Sequence, residues 1–435
     1  MYHLTMLPNG LRVATAEMPH MASVCVGLWA AVGGRHENAR LNGAAHFLEH
    51  LLFKGTKRRT ARRITGEVEA VGGYLDAFTA EDHTCYFAKA EAGRLARLGD
   101  VLADLYQHSR LPAVEVERER GVIREEILMY QDQPAQVAEE HLAAMIWEGH
   151  PLGRPLTGTL KTVSALSRGE LVDFWRTNYH GRSTVLSVAG RVTHSQVLDA
   201  VAPAFAGLPA GRLPRFSRWR TAHAQPRALV DRRDDNEQAQ LVLGFLAPGR
   251  RDPARFAVRV LSALLGEKMD SRLFQSLRER RGLCYSVQSE TATLADTGLL
   301  TISAGLDAKN LPGALALIRK EIDALCETPV SSREARETRD YLIGQHRLGL
   351  ESTTNQMMWL GESLLGHGRI VPPAEVEQAI MTVTPEALQE AACTTLRDGF
   401  RALVAVGPVE ASGENLLCSF CHPRGARRTR RSSSR

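Results

Sequence analysis

The five residues His46-Phe47-Leu48-Glu49-His50 hold two imidazoles and a carboxylate within little more than one helical turn. On a helix, positions i and i+4 share a face, so His46 and His50 can aim at one ion, with Glu49 beside them. Zinc suits such a pair: neutral imidazole is a good ligand, and three protein ligands leave a fourth position for water. Bound zinc brings the pKa of that water towards ~7. Glu49, near the metal but not on it, could then take the proton and pass it to a leaving amine. Histidines four apart also recur on helices that bind nothing, so the motif needs a third ligand. The run from Glu117 to Glu126 offers one. Glu119 and Glu126 stand seven apart, two helical turns, and share a face, whereas Glu125 lies about 100° round from Glu126. The same run also reads as an exposed helix laced with i,i+4 ion pairs.

These side chains need elements to carry them. Gly43 precedes a helix through Ala44, Phe47, Leu48, Leu51 and Leu52 that stops at Lys54-Gly55, a basic residue followed by glycine. Upstream, Pro8-Asn9-Gly10 marks a hairpin turn between strands at 4–6 and 11–14, and residues 24–31 form an apolar strand. Downstream, Thr60 caps a helix over 60–71 that Gly72-Gly73 ends, strands follow at 74–79 and 84–88, and a charged helix spans 113–130. Strands and helices alternate without a regular βαβ period, which predicts an α+β fold.

Length and composition set the frame. A chain of 435 residues, 44% hydrophobic, is too long for one ordinary core, so two domains are expected. No apolar run approaches the ~18 residues a membrane span requires, and the N-terminus shows no secretory pattern. Seven scattered cysteines (25, 85, 284, 326, 393, 418 and 421) do not make a disulfide framework and point to a reducing, cytoplasmic setting. The net charge of +5 belongs to a tail: residues 424–435 hold six arginines and no acid, and the rest of the chain carries −1. Neither nucleic-acid nor membrane binding is expected.

Pro209, Pro214 and Pro226 mark a break. The expected organisation is an N-terminal domain over 1–207, a linker over 208–227, a C-terminal domain over 228–410 and a basic, disordered tail over 411–435. The second half repeats the first in outline: a strand at 240–246, helices at 254–265 and 272–280, a glycine turn at Gly282, then strands at 284–290 and 299–304.

With motif and spacing together, the sequence resembles the pitrilysin-type (M16, inverzincin) zinc peptidases, in the branch of the mitochondrial processing peptidase and its bacterial relatives. Glu126 stands 76 residues after His50 in the context Arg-Glu-Glu-Ile, where the family has its third zinc ligand, and Glu119 matches the glutamate that assists the site. Residues 72–79, Gly-Gly-Tyr-Leu-Asp-Ala-Phe-Thr, resemble the segment whose edge strand holds substrate, which implies a role for Leu75, Asp76, Ala77 and Phe78. Relatives carry Asn where this chain has Asp76. The stretch from His150 to Thr159 matches a structural loop. Arg278 and Tyr285, seven apart, match a pair that reaches the peptide and would stabilise an oxyanion, although Arg280 competes with Arg278 for the assignment. The resemblance implies two homologous α+β domains, each a mixed sheet with helices, arranged as a clamshell. It implies one Zn²⁺ per chain, in the first domain only, and a homodimer or a heterodimer with a second M16-like chain. The implied activity is hydrolysis of short or unfolded polypeptides.

Two other readings have a basis in the sequence. The fold also supplies non-enzymatic subunits, but those lose part of the zinc set, and His46, Glu49, His50 and Glu126 are all present here. Cys418-Ser419-Phe420-Cys421-His422 fits the c-type haem attachment pattern, or a zinc-binding tail with only three candidate ligands.

Overall fold

The computed structural model describes residues 1–220, 227–399 and 401–421. Gly10 adopts a left-handed φ of 86° at the first turn and lets β1 (Tyr2–Met6) fold back on β2 (Arg12–Glu17). With β3 (Ser23–Ala30), β4 (Tyr74–Thr79), β5 (Thr84–Glu91) and β6 (Thr184–Gly190) these strands form a six-stranded sheet in the order β1-β2-β6-β3-β5-β4. The β2–β6 pair is parallel and the other neighbours are antiparallel.

Residues alternate between the faces of a strand, and β3 is buried on both. Val24, Val26, Leu28 and Ala30 join a core with Phe47, Leu48 and Leu51 of α1 (Ala44–Leu52), Ile64 of α2 (Ala61–Glu69) and Leu98 of α3 (Leu95–His108). Cys25 and Trp29 face the other way, onto Met357, Leu360 and Leu364 of the helix Thr353–His367. The expected Thr60 cap is present, its hydroxyl accepting from the Arg63 N–H.

The second sheet repeats the first without its outer strand. β7 (Arg227–Arg232), β8 (Ala239–Ala247), β9 (Cys284–Thr293), β10 (Gly298–Leu306) and β11 (Arg401–Gly407) stand in the order β7-β11-β8-β10-β9. Strand for strand this is β2-β6-β3-β5-β4, and the β11–β7 pair is again the parallel one.

Packing divides the chain differently from the linker. One unit comprises Met1–Asp132, Gly149–Trp219 and Ile343–Ala379; the other comprises Gln133–Glu148, Arg220–Leu342 and the chain from Ile380. Each half therefore lends a helix to the other half's sheet. α5 (Pro134–Ile146), which directly follows α4 (Ala113–Gln131), packs on β8 and β11, and Thr353–His367 packs on β3 and β6. The exchange has a matched pair of glycines: a Cβ on Gly27 of β3 would collide with Met357, and one on Gly244 of β8 with Leu142 of α5. Propensity and local pattern carry no information on which sheet a helix will cover.

The segment expected to open a disordered tail at 411 is instead the helix Ala411–Cys421, because Leu417, Phe420 and Cys421 are apolar and buried. His422 and the arginines after it lie outside the described residues, as do residues 221–226 of the expected linker. Linker residues 208–219 pack on the first unit, where the Arg35 guanidinium stacks 3.9 Å over the Phe216 ring. Among the described residues no helix is long and apolar enough to cross a membrane.

Candidate metal centre

α1 begins at Gly43, held at a left-handed φ of 95° and supplying no side-chain cap. Glu37 fills that role from outside the helix. Its carboxylate accepts from the N–H of Ala45 at 2.7 Å and of Gly43 at 2.8 Å, and from the Asn42 amide at 3.3 Å. The start of the short helix that carries both histidines is thus fixed by a buried acid. Burial outweighs these bonds and pushes the Glu37 carboxyl up to about 7.

α4 lies against α1. Its buried face is Val116, Glu119, Ile123 and Ile127, while its outer face carries the i,i+3 pair Arg118–Glu115; Arg120, paired with Glu117, lies 5.5 Å over the Phe47 ring and donates to Leu166 O. The ion pairs on this helix are spaced i,i+3 and not i,i+4 as the exposed-helix reading had them. Glu125 points out and is exposed, whereas Glu126 is half-buried beside the histidines.

His46, His50 and Glu126 each offer one ligand atom, all within 4.8 Å of one another. Glu126 Oε2 lies 3.6 Å from His46 Nε2 and 3.7 Å from His50 Nε2. Tetrahedral zinc with bonds of about 2.0–2.2 Å separates its ligand atoms by roughly 3.3–3.6 Å, so this spacing fits. Oε2 is also buried with no hydrogen-bond partner, while Tyr130 Oη donates to the other oxygen, Oε1, at 2.9 Å. A buried carboxylate oxygen left bare between two imidazole nitrogens is costly unless a cation completes it. His46 is held neutral, its pKa lowered to about 4 by burial first and by His50 second, and neutral imidazole is the form that binds a metal.

Around these three stand the supporting groups. Glu119, 3% exposed, places Oε2 at 3.3 Å from His50 Nδ1 and Oε1 at 2.8 Å from Lys54 Nζ. Glu49 Oε2 accepts from the Thr79 hydroxyl at 2.6 Å, and burial raises its carboxyl above the usual range. Thr79 closes β4, so one hydrogen bond ties the acid to the end of the edge strand. Sequence reasoning gave Lys54 only the end of a helix and Thr79 only the end of a matched strand, and it passed over Tyr130 and Glu37. For Tyr130 there was a usable signal, since it follows Glu126 by four residues on the same helix.

β4 pairs only with β5 among the described residues, so its other edge is free. The Ala80 N–H donates to His83 O at 2.8 Å at the hairpin end. In an antiparallel pair, hydrogen-bonded and non-bonded positions alternate. Counting back along the register, Tyr74, Asp76 and Phe78 bond to β5, whereas Leu75, Ala77 and Thr79 turn their N–H and C=O groups to the free edge. The Asp76 carboxylate accepts from the Ala77 N–H at 2.8 Å and so occupies one of those edge donors. Leu75 and Ala77 rest on the α1–α3 core, and Phe78 on the opposite one.

Arg278 and Tyr285 belong to the second unit and to each other. The Arg278 guanidinium lies 5.6 Å over the Tyr285 ring and 4.8 Å over that of Phe274, and Tyr285 is 76% exposed. The neighbouring Arg281 instead donates to Ser276 O.

Fold and site together define a two-domain α+β protein in which His46 and His50 of an inverted His-x-x-Glu-His helix and Glu126 of the helix beside it could hold a metal ion. Comparison with known proteins makes this specific: the chain belongs to peptidase family M16. Residues 12–160 match the insulinase (peptidase family M16) model and residues 165–342 the peptidase M16 inactive domain. A protein of Streptomyces coelicolor described as an uncharacterized zinc protease is 39% identical over 415 residues, 93% of this chain and 89% of its own length. One from Mycobacterium leprae with the same description is 38% identical, covering 93% and 91%. The mitochondrial-processing peptidase subunit beta of Bos taurus is 33% identical, covering 96% and 86%. Among solved structures, a protease from Helicobacter pylori superposes with a TM-score of 0.88 at 22% identity, covering 94% of this chain and 99% of that one.

Proposed function

We propose that this protein is a zinc-dependent endopeptidase that holds one Zn²⁺ per chain on His46, His50 and Glu126 and cleaves short or unfolded polypeptides. The observation that carries the proposal is the bare, buried Glu126 Oε2 facing Nε2 of both histidines at zinc-like spacing. The zinc-protease description of the relatives supports it. When bound, zinc supplies an acidified water and a polarised carbonyl.

Glu49 is the general base of this scheme. Its Oε2 is engaged by Thr79, which leaves Oε1 to accept a proton and return it to the leaving amine. Burial raises its carboxyl and so strengthens it as a base. Substrate would bind as an added strand along β4, through the outward groups of Leu75, Ala77 and Thr79. Main-chain pairing of this kind accepts many sequences but only extended chains, hence short or unfolded substrates. Asp76 competes for the Ala77 N–H, so its part is to modulate this binding rather than to supply the main contact. Arg278 and Tyr285 are the proposed donors to the oxyanion, supported by their stacking on each other and by the exposure of Tyr285. We propose further that the chain works paired with a second M16-like chain, identical or different, in a reducing cytoplasmic setting.

The test is Glu49→Gln. It should retain zinc by elemental analysis and lose about 10²–10⁴-fold in peptide turnover, the range of general acid–base catalysis. Normal turnover in the variant, or a wild-type protein that takes up no zinc, overturns the proposal.

A further inference from the structure

We propose that Lys54 is a positioning residue of the metal centre and acts through Glu119 on His50; the inference rests on His50 being a zinc ligand. Lys54 stands just past the end of α1, where its N–H donates to Leu51 O. Its ammonium lies 2.8 Å from Glu119 Oε1, while Glu119 Oε2 lies 3.3 Å from His50 Nδ1. The two oxygens of one buried carboxylate are thus divided, one pinned by lysine and the other aimed at the imidazole.

A carboxylate on Nδ1 keeps the proton there and turns the Nε2 lone pair towards the metal, and such outer partners set ring orientation as well as ligand strength. The support is one-sided. His46 Nδ1 is buried with no hydrogen-bond partner, so the orientation of the pair is imposed through His50. Glu119 itself is anchored at both ends by α1: by His50 within the helix and by Lys54 beyond it. The lysine contact on Oε1 determines which oxygen is left for His50. Without it, Glu119 has one partner instead of two and is free to turn, and the His50 ring loses its fixed bearing.

The experiment measures zinc dissociation constants by chelator competition for wild type, Lys54→Met and Lys54→Arg, each also in a Glu119→Gln background. Lys54→Met should weaken zinc about 10–100-fold, the range for loss of an outer partner. Lys54→Arg, which keeps a cation at the end of a long stem, should recover most of that. In the Glu119→Gln background Lys54→Met should add nothing. The Lys54 side chain is 29% exposed, so its truncation leaves the core intact, and Lys54→Gln serves as a second truncation. Unchanged affinity in both truncations, or an equal loss with and without Glu119, overturns the proposal. A wild-type chain that binds no zinc would instead overturn the metal-centre reading beneath it.

Discussion

Ala77→Pro separates substrate binding from both the metal and the fold. The Ala77 N–H faces the free edge of β4, where it is held by Asp76 Oδ1 and not by β5. Proline removes that N–H without breaking a ladder bond, and it is tolerated on edge strands for this reason. The residue before proline must be extended, as Asp76 already is within β4. A substrate strand would lose one main-chain hydrogen bond, about 0.5–1.5 kcal/mol, or roughly 2- to 13-fold in kcat/KM. The low end is the better expectation, because an incoming carbonyl must first displace Asp76. That competition predicts the opposite sign for Asp76→Ala: a freed donor and a higher kcat/KM. The assay is kcat/KM on a series of unstructured peptides, with zinc content and thermal midpoint measured on the same preparations. Phe78→Pro is the inward control, since it removes a bond to β5 and should destabilise the protein. If Ala77→Pro keeps wild-type kcat/KM while its zinc and midpoint are also unchanged, substrate does not add to β4.

Two further outcomes follow from packing and burial. Trp29 is fully buried, with its indole N–H fixed on Ser187 Oγ, and Gly361 of the covering helix lies where a Cβ would overlap the ring. Gly361→Ala should therefore lower the thermal midpoint: overpacking costs about 1–3 kcal/mol, more than the ~1 kcal/mol of helix propensity that alanine returns. Burial pushes the Glu37 carboxyl up to about 7 from its ordinary 4.5, so between these values the folded chain holds the proton more tightly than the unfolded one. Its contribution to stability is full below about 4.5, falls as pH rises through that window and is constant above about 7. The midpoint advantage of wild type over Glu37→Gln in metal-free protein should accordingly shrink from pH 5 to pH 7.5; an advantage independent of pH would count against the shift.

Much of the site could be read from the chain, because its chemistry is local. Gly43, the 46–50 motif and the stop at Gly55 announce a helix whose two histidines share a face, and helical geometry puts Glu119 and Glu126 on one side of α4. Periodicity alone leaves Glu125 and Glu126 about 100° apart without ranking them; the family spacing points to Glu126, and the packed helix sets Glu126 beside the histidines and leaves Glu125 exposed. The division of Glu119 between His50 and Lys54, the hold of Thr79 on Glu49 and the cap that Glu37 places on α1 all join residues set apart along the chain, and no periodicity encodes them.

The sequence by itself determined the α+β class, the doubled plan and the helix that sets His46, Glu49 and His50 on one face, since these follow from side-chain chemistry and from the periods of helix and strand. Tertiary structure alone decided that α5 and Thr353–His367 each cover the sheet of the other half, and that residues 411–421 fold as a helix. It also decided that Leu75, Ala77 and Thr79, and not their neighbours, face the free edge. The physical reason is common to all three. A helix or strand has an apolar face whatever its partner, and what buries that face, or leaves a hydrogen-bonding edge open, depends on which distant segment arrives there.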